Sequence, residues 1–198
     1  MDLGVALMAQ GRFQEAETSL LRALRLHRSS LLLMNIGGLY YDEERYIEAV
    51  RFFEESVASG TASAMQYRDL GDVYRHLGRG RESTKAYSLA RDMAQDEVTR
   101  NPQQADSRVL LAVVSALLGD SGAAQFEAAQ ALTMEPENAI VIREAVLMYE
   151  SLNQREQSLR VLRRAPPGVL GELSRQPDVK GLQHDSRFQE LIQALVIR

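Results

Sequence analysis

The 198-residue chain has no cysteine and no tryptophan, and only three histidines and five prolines. Without cysteine it forms no disulfide, offers no thiol nucleophile and holds no metal through sulfur. His27, His76 and His184 stand far apart, in no His-Glu-x-x-His or comparable spacing, so no metal site is expected. No glycine-rich loop ends in lysine followed by serine or threonine, and Gly78-Arg79-Gly80 follows no strand-like run, which removes the physical basis for nucleotide binding. Serines are plentiful, yet none has a recognisable histidine and acid arrangement. These absences predict a chain that is not an enzyme and takes no cofactor.

Long hydrophobic runs are also missing. The most apolar stretch, residues 109–118, is punctuated by Ser115 and is too short for a membrane span, and Met1-Asp2-Leu3-Gly4-Val5 lacks the basic residues and apolar core of a secretion signal. Neither charge dominates: 23 basic and 27 acidic residues give −4, an ordinary solubility value with no general attraction for phosphate backbones. Nucleic acid is therefore not the expected partner, and a cytoplasmic location is expected. With 45% apolar residues the chain has enough material for a continuous core.

What the chain does contain is a period. In the 34-residue stretch 105–138, Ala112 follows Leu111, Gly119 sits between two runs, Ala124 and Ala131 lie one heptad apart, and Glu135-Pro136-Glu137-Asn138 makes a closing turn. A shift of 34 places Asn101-Pro102 on Glu135-Pro136, Leu111 on Ala145 and Ala131 on Ala165. A period of this size, with two helical patterns per unit, predicts stacked helical hairpins.

About five units are expected over residues 1–165, the first incomplete, with a C-terminal cap over residues 166–198 packed on the same domain. In unit one, Leu3-Gly4, Leu7 and Gly11 lead into Phe13, Ala16, Leu20, Ala23, Leu24 and Leu26 at helical spacing. Its first helix falls about five residues short of a full period. Unit two, residues 30–63, turns at Glu43-Glu44-Arg45, sets Ala49, Phe52, Phe53, Ser56 and Val57 on one seam, and is stopped by Gly60. Unit three carries Tyr67, Leu70-Gly71, Tyr74 and Gly78, then Ser83, Ala86, Tyr87 and Ala90. From Gly78 to Gly119 the spacing is 41 instead of 34. Seven extra residues are two turns returning to nearly the same face, which predicts one long second helix over residues 81–99, ended by Asn101-Pro102. The first helix of unit four is apolar almost all round, which calls for neighbours on both sides or makes an apolar exposed groove wall. After unit five, Pro166-Pro167-Gly168 breaks the pattern, a short turn or helix is expected over residues 170–175, Pro177-Asp178 reads as an irregular link, and an amphipathic helix over residues 186–196 covers the last apolar face.

These positions resemble the tetratricopeptide repeat. The matches are Ile36-Gly37 with Tyr40 and Ala49, Leu70-Gly71 with Tyr74, Gly78 and Ala90, and Ala112 with Gly119, Ala124, Ala131 and Pro136. The chain departs from the family at the early aromatic site, where Leu33, Tyr67, Arg108 and Ile142 replace tryptophan. The tail Leu173-Ser174-Arg175-Gln176-Pro177-Asp178, with Leu182 and Asp185-Ser186-Arg187-Phe188, is similar to tails closing the repeat regions of bacterial eukaryotic-like serine/threonine kinases and of some transcriptional regulators. The resemblance implies an all-α, right-handed superhelix of antiparallel helix pairs with a C-terminal capping helix. It also implies a non-catalytic scaffold or regulatory domain that binds a protein or peptide on its concave face.

By that resemblance the first helix of each unit lines the concave face. The candidates are Leu31, Met34, Gly38, Tyr41 and Asp42 in unit two, and Met65, Arg68, Asp72, Arg75 and His76 in unit three. Unit four adds Asp106, Val109, Val113, Ala116 and Leu117, and unit five Ile140, Arg143, Leu147, Glu150 and Ser151. An apolar wall with charged margins suits an extended or helical peptide. Arg68 and Arg75, seven apart, are read either as holders of a carboxylate or as partners of Asp72 and nearby acids. The family's clamp for acidic chaperone tails is not expected, since only Asn35 matches while Met34, Gly38, Met65 and Asp69 occupy its other sites. Tyr40, Tyr41, Tyr46, Phe52 and Phe53 read as core, with Tyr41 the member nearest a groove, and Asp42-Glu43-Glu44 as a solvated turn. The alternative function is homo-oligomerisation, a homodimer formed through Leu3 and Leu7 or through the long helix. A third reading is RNA contact along Arg155, Arg160, Arg163 and Arg164.

Overall fold

Gly4, Gly37 and Gly71 recur 33 and 34 residues apart, and sixteen residues beyond each stands a large side chain: Leu20, Phe53 and Tyr87. The computed structural model, which describes residues 3–58 and 62–196 without the side chains of 195 and 196, shows why. A Cβ on Gly4 would lie 2.5 Å from Leu20, one on Gly37 2.8 Å from the Phe53 ring, and one on Gly71 closer still to Tyr87. Bare backbone on the first helix of each hairpin is thus the seat for a bulky residue on the second. Where the seat becomes Ala112 or Ala145, the residue sixteen further on shrinks to Ala128 or Val161. Gly60, expected to stop a helix, lies outside the described residues.

The chain divides into two units, Met1–Ala90 and Arg91–Arg198. In the first, α1 (Leu3–Ala9) pairs with α2 (Phe13–Leu26) and α3 (Ser30–Asp42) with α4 (Tyr46–Ala58). The helix α5 (Ala64–His76) pairs with the start of α6 (Gly80–Arg100), where the Ser83 hydroxyl donates to the Gly71 carbonyl at 2.9 Å. Side chains close the helix starts: Ser29 accepts from the Leu32 amide, and Ser63 forms a reciprocal capping box with Gln66. Within the core, Gln66 donates to Ser30 (2.7 Å) and Ser56 (2.6 Å), so the polar seam of α3, α4 and α5 is satisfied.

Successive hairpins are joined by a repeated device. The Tyr40 hydroxyl donates to Glu17 on the preceding hairpin at 2.7 Å while Arg45 lies 4.2 Å over the Tyr40 ring. One period on, Tyr74 donates to Glu54 at 2.8 Å and Arg79 lies 4.3 Å over its ring. Burial first, then the glutamate, pushes both phenols up to about 12, so each stays a hydrogen-bond donor at neutral pH.

In the second unit α6 finishes and is followed by α7 (Ala105–Leu117), α8 (Ser121–Met134), α9 (Ala139–Ser151) and α10 (Arg155–Leu162). The 21 residues of α6 keep Ala86, Tyr87, Ala90, Ala94 and Val98 buried along one stripe, as a seven-residue insertion permits. Asn101-Pro102 stands just past its end. Every residue of α7 from 109 to 116 is buried, and the helix packs on both α8 and α9.

The C-terminal region differs from the expectation in two places. The α10 helix ends at Leu162 and Pro166 keeps Ala165, the residue before it, from resuming it, while the short turn or helix expected over residues 170–175 is α11 (Pro167–Leu173), opened earlier by Pro167 and Gly168. Proline suits a first turn, whose amide needs no partner. The expected irregular link is a 3-10 turn, Pro177–Val179, running directly into α12 (Lys180–Gln183) and then α13 (Ser186–Val196). Val169, Leu170, Leu173, Val179, Leu182 and Phe188 bury against Ile142, Val146, Leu159 and Leu162. At roughly 1.5–3 kcal/mol per side chain, this closure is the main gain from the last thirty-odd residues.

Candidate functional site

Helical spacing sets Arg68, Asp72 and Arg75 on one face of α5, as i, i+4 and i+7. The structure then separates them by depth. Arg68 and Asp72 are buried, with Arg68 Nε 3.1 Å from Asp69 and its Nη1 3.6 Å from Asp72. The Arg75 side chain is 41% exposed. Its Nε donates to the Tyr87 hydroxyl at 3.2 Å, and that hydroxyl donates to Asp72 Oδ1 at 2.7 Å. Burial, reinforced by the Asp72 carboxylate, pushes the Tyr87 phenol far above its ordinary range, so it keeps the proton that ties Asp72. Both arginines pair with Asp72, and Arg75 alone also reaches toward solvent.

Next to Arg75, the His76 ring stacks on Tyr46 with centroids 4.4 Å apart and planes 10° from parallel, and meets Tyr41 edge-on at 5.4 Å. Tyr41 is buried and belongs to the core instead of facing a groove. Met34 and Met65 are half-buried. Arg75, His76 and Tyr46 present an anchored guanidinium beside an imidazole stacked on a phenol ring, an arrangement suited to a carboxylate with a neighbouring apolar group. Among the described residues no group of three or more histidines or acids is placed to hold a metal ion.

In the second unit Val109, Val113 and Leu147 are buried as core, and Leu117 is half-buried. Arg143 pairs with Glu144 at 2.7 Å and with Glu172 of α11 at 3.3 Å. Asp106 is exposed as a residue, yet partial burial of its carboxyl, then Glu135 and Glu144, raises its pKa.

Two side-chain partnerships are not legible in the sequence. Tyr87 falls at helical spacing with Ala86 and Ala90, but as a buried phenol it needs a partner, and the hairpin pairing that seats it on Gly71 puts Asp72 within reach. Arg108, at the early aromatic site, donates to the Pro102 carbonyl at 2.8 Å and pairs with Glu127 of α8, both side chains being mostly covered. Leu7, read as available for self-association, is buried, whereas Leu3 is 64% exposed. Among the described residues no helix is long and apolar enough to cross a membrane.

Comparison with known proteins places these features. The tetratricopeptide repeat family model matches residues 1–64. A thermophilic tetratricopeptide repeat protein of Thermus thermophilus superposes with a TM-score of 0.61 at 22% identity, over 96% of each chain. A tetratricopeptide repeat protein of Parabacteroides merdae gives 0.55 at 16% identity, over 96% of this chain and 80% of that one. No curated protein sequence matches the chain. Residues 1–64 thus match the tetratricopeptide repeat, and the fold is all-α, of paired antiparallel helices with extra C-terminal helices, as in these two structures.

Proposed function

We propose that the protein is a non-catalytic docking module whose first-helix face in the Met1–Ala90 unit binds an acidic, partly apolar peptide segment of a partner protein. The observation that carries this reading is Arg75, held in place by Tyr87 and Asp72 while part of its side chain stays in solvent beside His76 and Tyr46. A pre-positioned guanidinium loses little freedom on binding, which is how a shallow surface gains affinity. The tail's resemblance to those of regulatory proteins carries the further reading that such docking serves a larger signalling or regulatory chain.

The test is selection from a displayed peptide library, followed by titration of the winners. Selected peptides should be rich in acidic residues next to apolar ones and bind Arg75→Glu about tenfold or more weakly. Lys85→Glu, a charge reversal at an exposed position on the same unit, should leave them unaffected. Peptides binding Arg75→Glu as well as the wild type would reject the assignment. Light scattering in parallel addresses homo-oligomerisation: a doubling of mass that Arg75→Glu preserves and Leu3→Glu abolishes would move the function to self-association.

A further inference from the structure

The four arginines around α10 do not form one strip. Arg155 is consumed: it pairs with Glu150 at 2.6 Å, donates to the Gly181 carbonyl at 3.0 Å and reaches Asp185 at 3.4 Å. Arg160, Arg163 and Arg164 are exposed, and among the described residues none of them makes an ion pair. A cleft of about 220 Å³ lies between the end of α8 and α10, with Leu132, Pro136 and Val161 as its floor and Arg160 and Arg164 at its margin. No acid lines it. Arg160 also borders a second cleft of about 360 Å³, between α10 and α13. There Arg187 is neutralised by Glu156 at 2.7 Å, leaving Arg160 and Arg163 against Glu190.

We propose that the cleft between α8 and α10 is a second docking site, distinct from the first-helix face, which takes an acidic segment of a partner protein with an apolar side chain on its floor. Charge complementarity picks the class of occupant. Arg160 on α10 and Arg164 in the turn past its end both line the cleft and match two carboxylates, and the apolar floor gives a phosphate backbone nothing to contact. Each carboxylate gains a charge-assisted hydrogen bond, and the apolar group between them leaves water.

The experiment uses the whole chain and a panel of fluorescein-labelled peptides in which leucine, isoleucine or phenylalanine stands between acidic residues, read by fluorescence anisotropy. At least one should bind saturably, about tenfold or more weakly when glutamine replaces the acids and weaker by a similar factor with Arg160→Glu/Arg164→Glu. Arg75→Glu should leave this binding unchanged, which separates it from the face proposed above. Circular dichroism of the double variant should superpose on that of the wild type, as expected for two exposed side chains. If that variant is misfolded, Arg160→Gln/Arg164→Gln replaces it and the same loss is required. Four results would overturn the proposal: no saturable binding by any peptide, equal binding of the glutamine peptides, retention by the arginine variants, or a labelled oligouridine displacing the peptides with higher affinity.

Discussion

Ser83 and Ser158 occupy the small-residue position that Ala16, Ala49 and Ala124 fill in the other hairpins, yet they do opposite things there. The Ser83 hydroxyl donates to the Gly71 carbonyl across its hairpin. The Ser158 hydroxyl is fully buried with no hydrogen-bond partner among the described residues. A made buried hydrogen bond contributes about 1 kcal/mol net, whereas a buried hydroxyl without one costs a comparable amount in desolvation. Ser83→Ala should therefore lower stability by about 1 kcal/mol, and Ser158→Ala should be neutral or raise it by up to about 1 kcal/mol. Urea unfolding midpoints for the two variants decide the matter, and an equal fall in both would mean that neither hydroxyl's bonding state governs its effect.

At the scale of the element, glycines act in two ways that substitution separates. Gly11, Gly78 and Gly119 have positive φ at turns inside hairpins, and Glu44 and Asn153 hold the same left-handed position in the other two. At each turn the next amide donates five residues back, as from Arg79 to the Tyr74 carbonyl and from Asp120 to the Ser115 carbonyl. A Cβ on Gly119 meets nothing within 4 Å, so Gly119→Ala carries only the backbone penalty of about 1–2 kcal/mol. Gly71→Ala drives a Cβ into the Tyr87 ring and should cost more, about 2–3 kcal/mol, while loosening the bond from Tyr87 to Asp72. Combining it with Tyr87→Ala should give a loss smaller than the sum, because the second change removes the obstacle. Thermal unfolding of the three variants and the double tests the order, and a Gly119→Ala loss larger than that of Gly71→Ala would contradict it. The length of α6 was legible because seven residues preserve a helical face, and the turn at Gly78 because glycine advertises it. The turns at Glu44 and Asn153 were legible only through register. The start of α11 was not, since Pro166-Pro167 reads as a break until the first turn's tolerance of proline is considered. Arg68 and Arg75 look equivalent in sequence, and only packing around Asp72 buries one and exposes the other.

For the whole molecule, the last hairpin of a repeat array must be covered or its apolar face stays in water. Here the cover is α11 to α13, and ion pairs fasten it. Arg155 reaches from α10 to Asp185 and the Gly181 carbonyl, and Arg187 joins Asp185 at 2.9 Å to Glu156 at 2.7 Å. Arg187, first through its side chain and also through its backbone amide, with help from Arg155, holds the Asp185 carboxyl well below the usual carboxylate range. A carboxylate whose folded pKa is depressed contributes stability that is full above its unfolded value, near 4, and is lost as pH falls through the folded one. Asp185→Asn should accordingly lower the melting temperature by a constant amount from about pH 5 to pH 8, with the gap to wild type narrowing below about pH 4. Because repeats contact only their neighbours, the loss should first appear as faster amide exchange in residues 167–196, ahead of α7 and α8. Melting curves at stepped pH with hydrogen exchange at pH 7 make the check: a gap that persists unchanged to pH 2.5 would show that Asp185 acts through its shape and not its charge, and uniform exchange across the second unit would show that the cap does not open on its own.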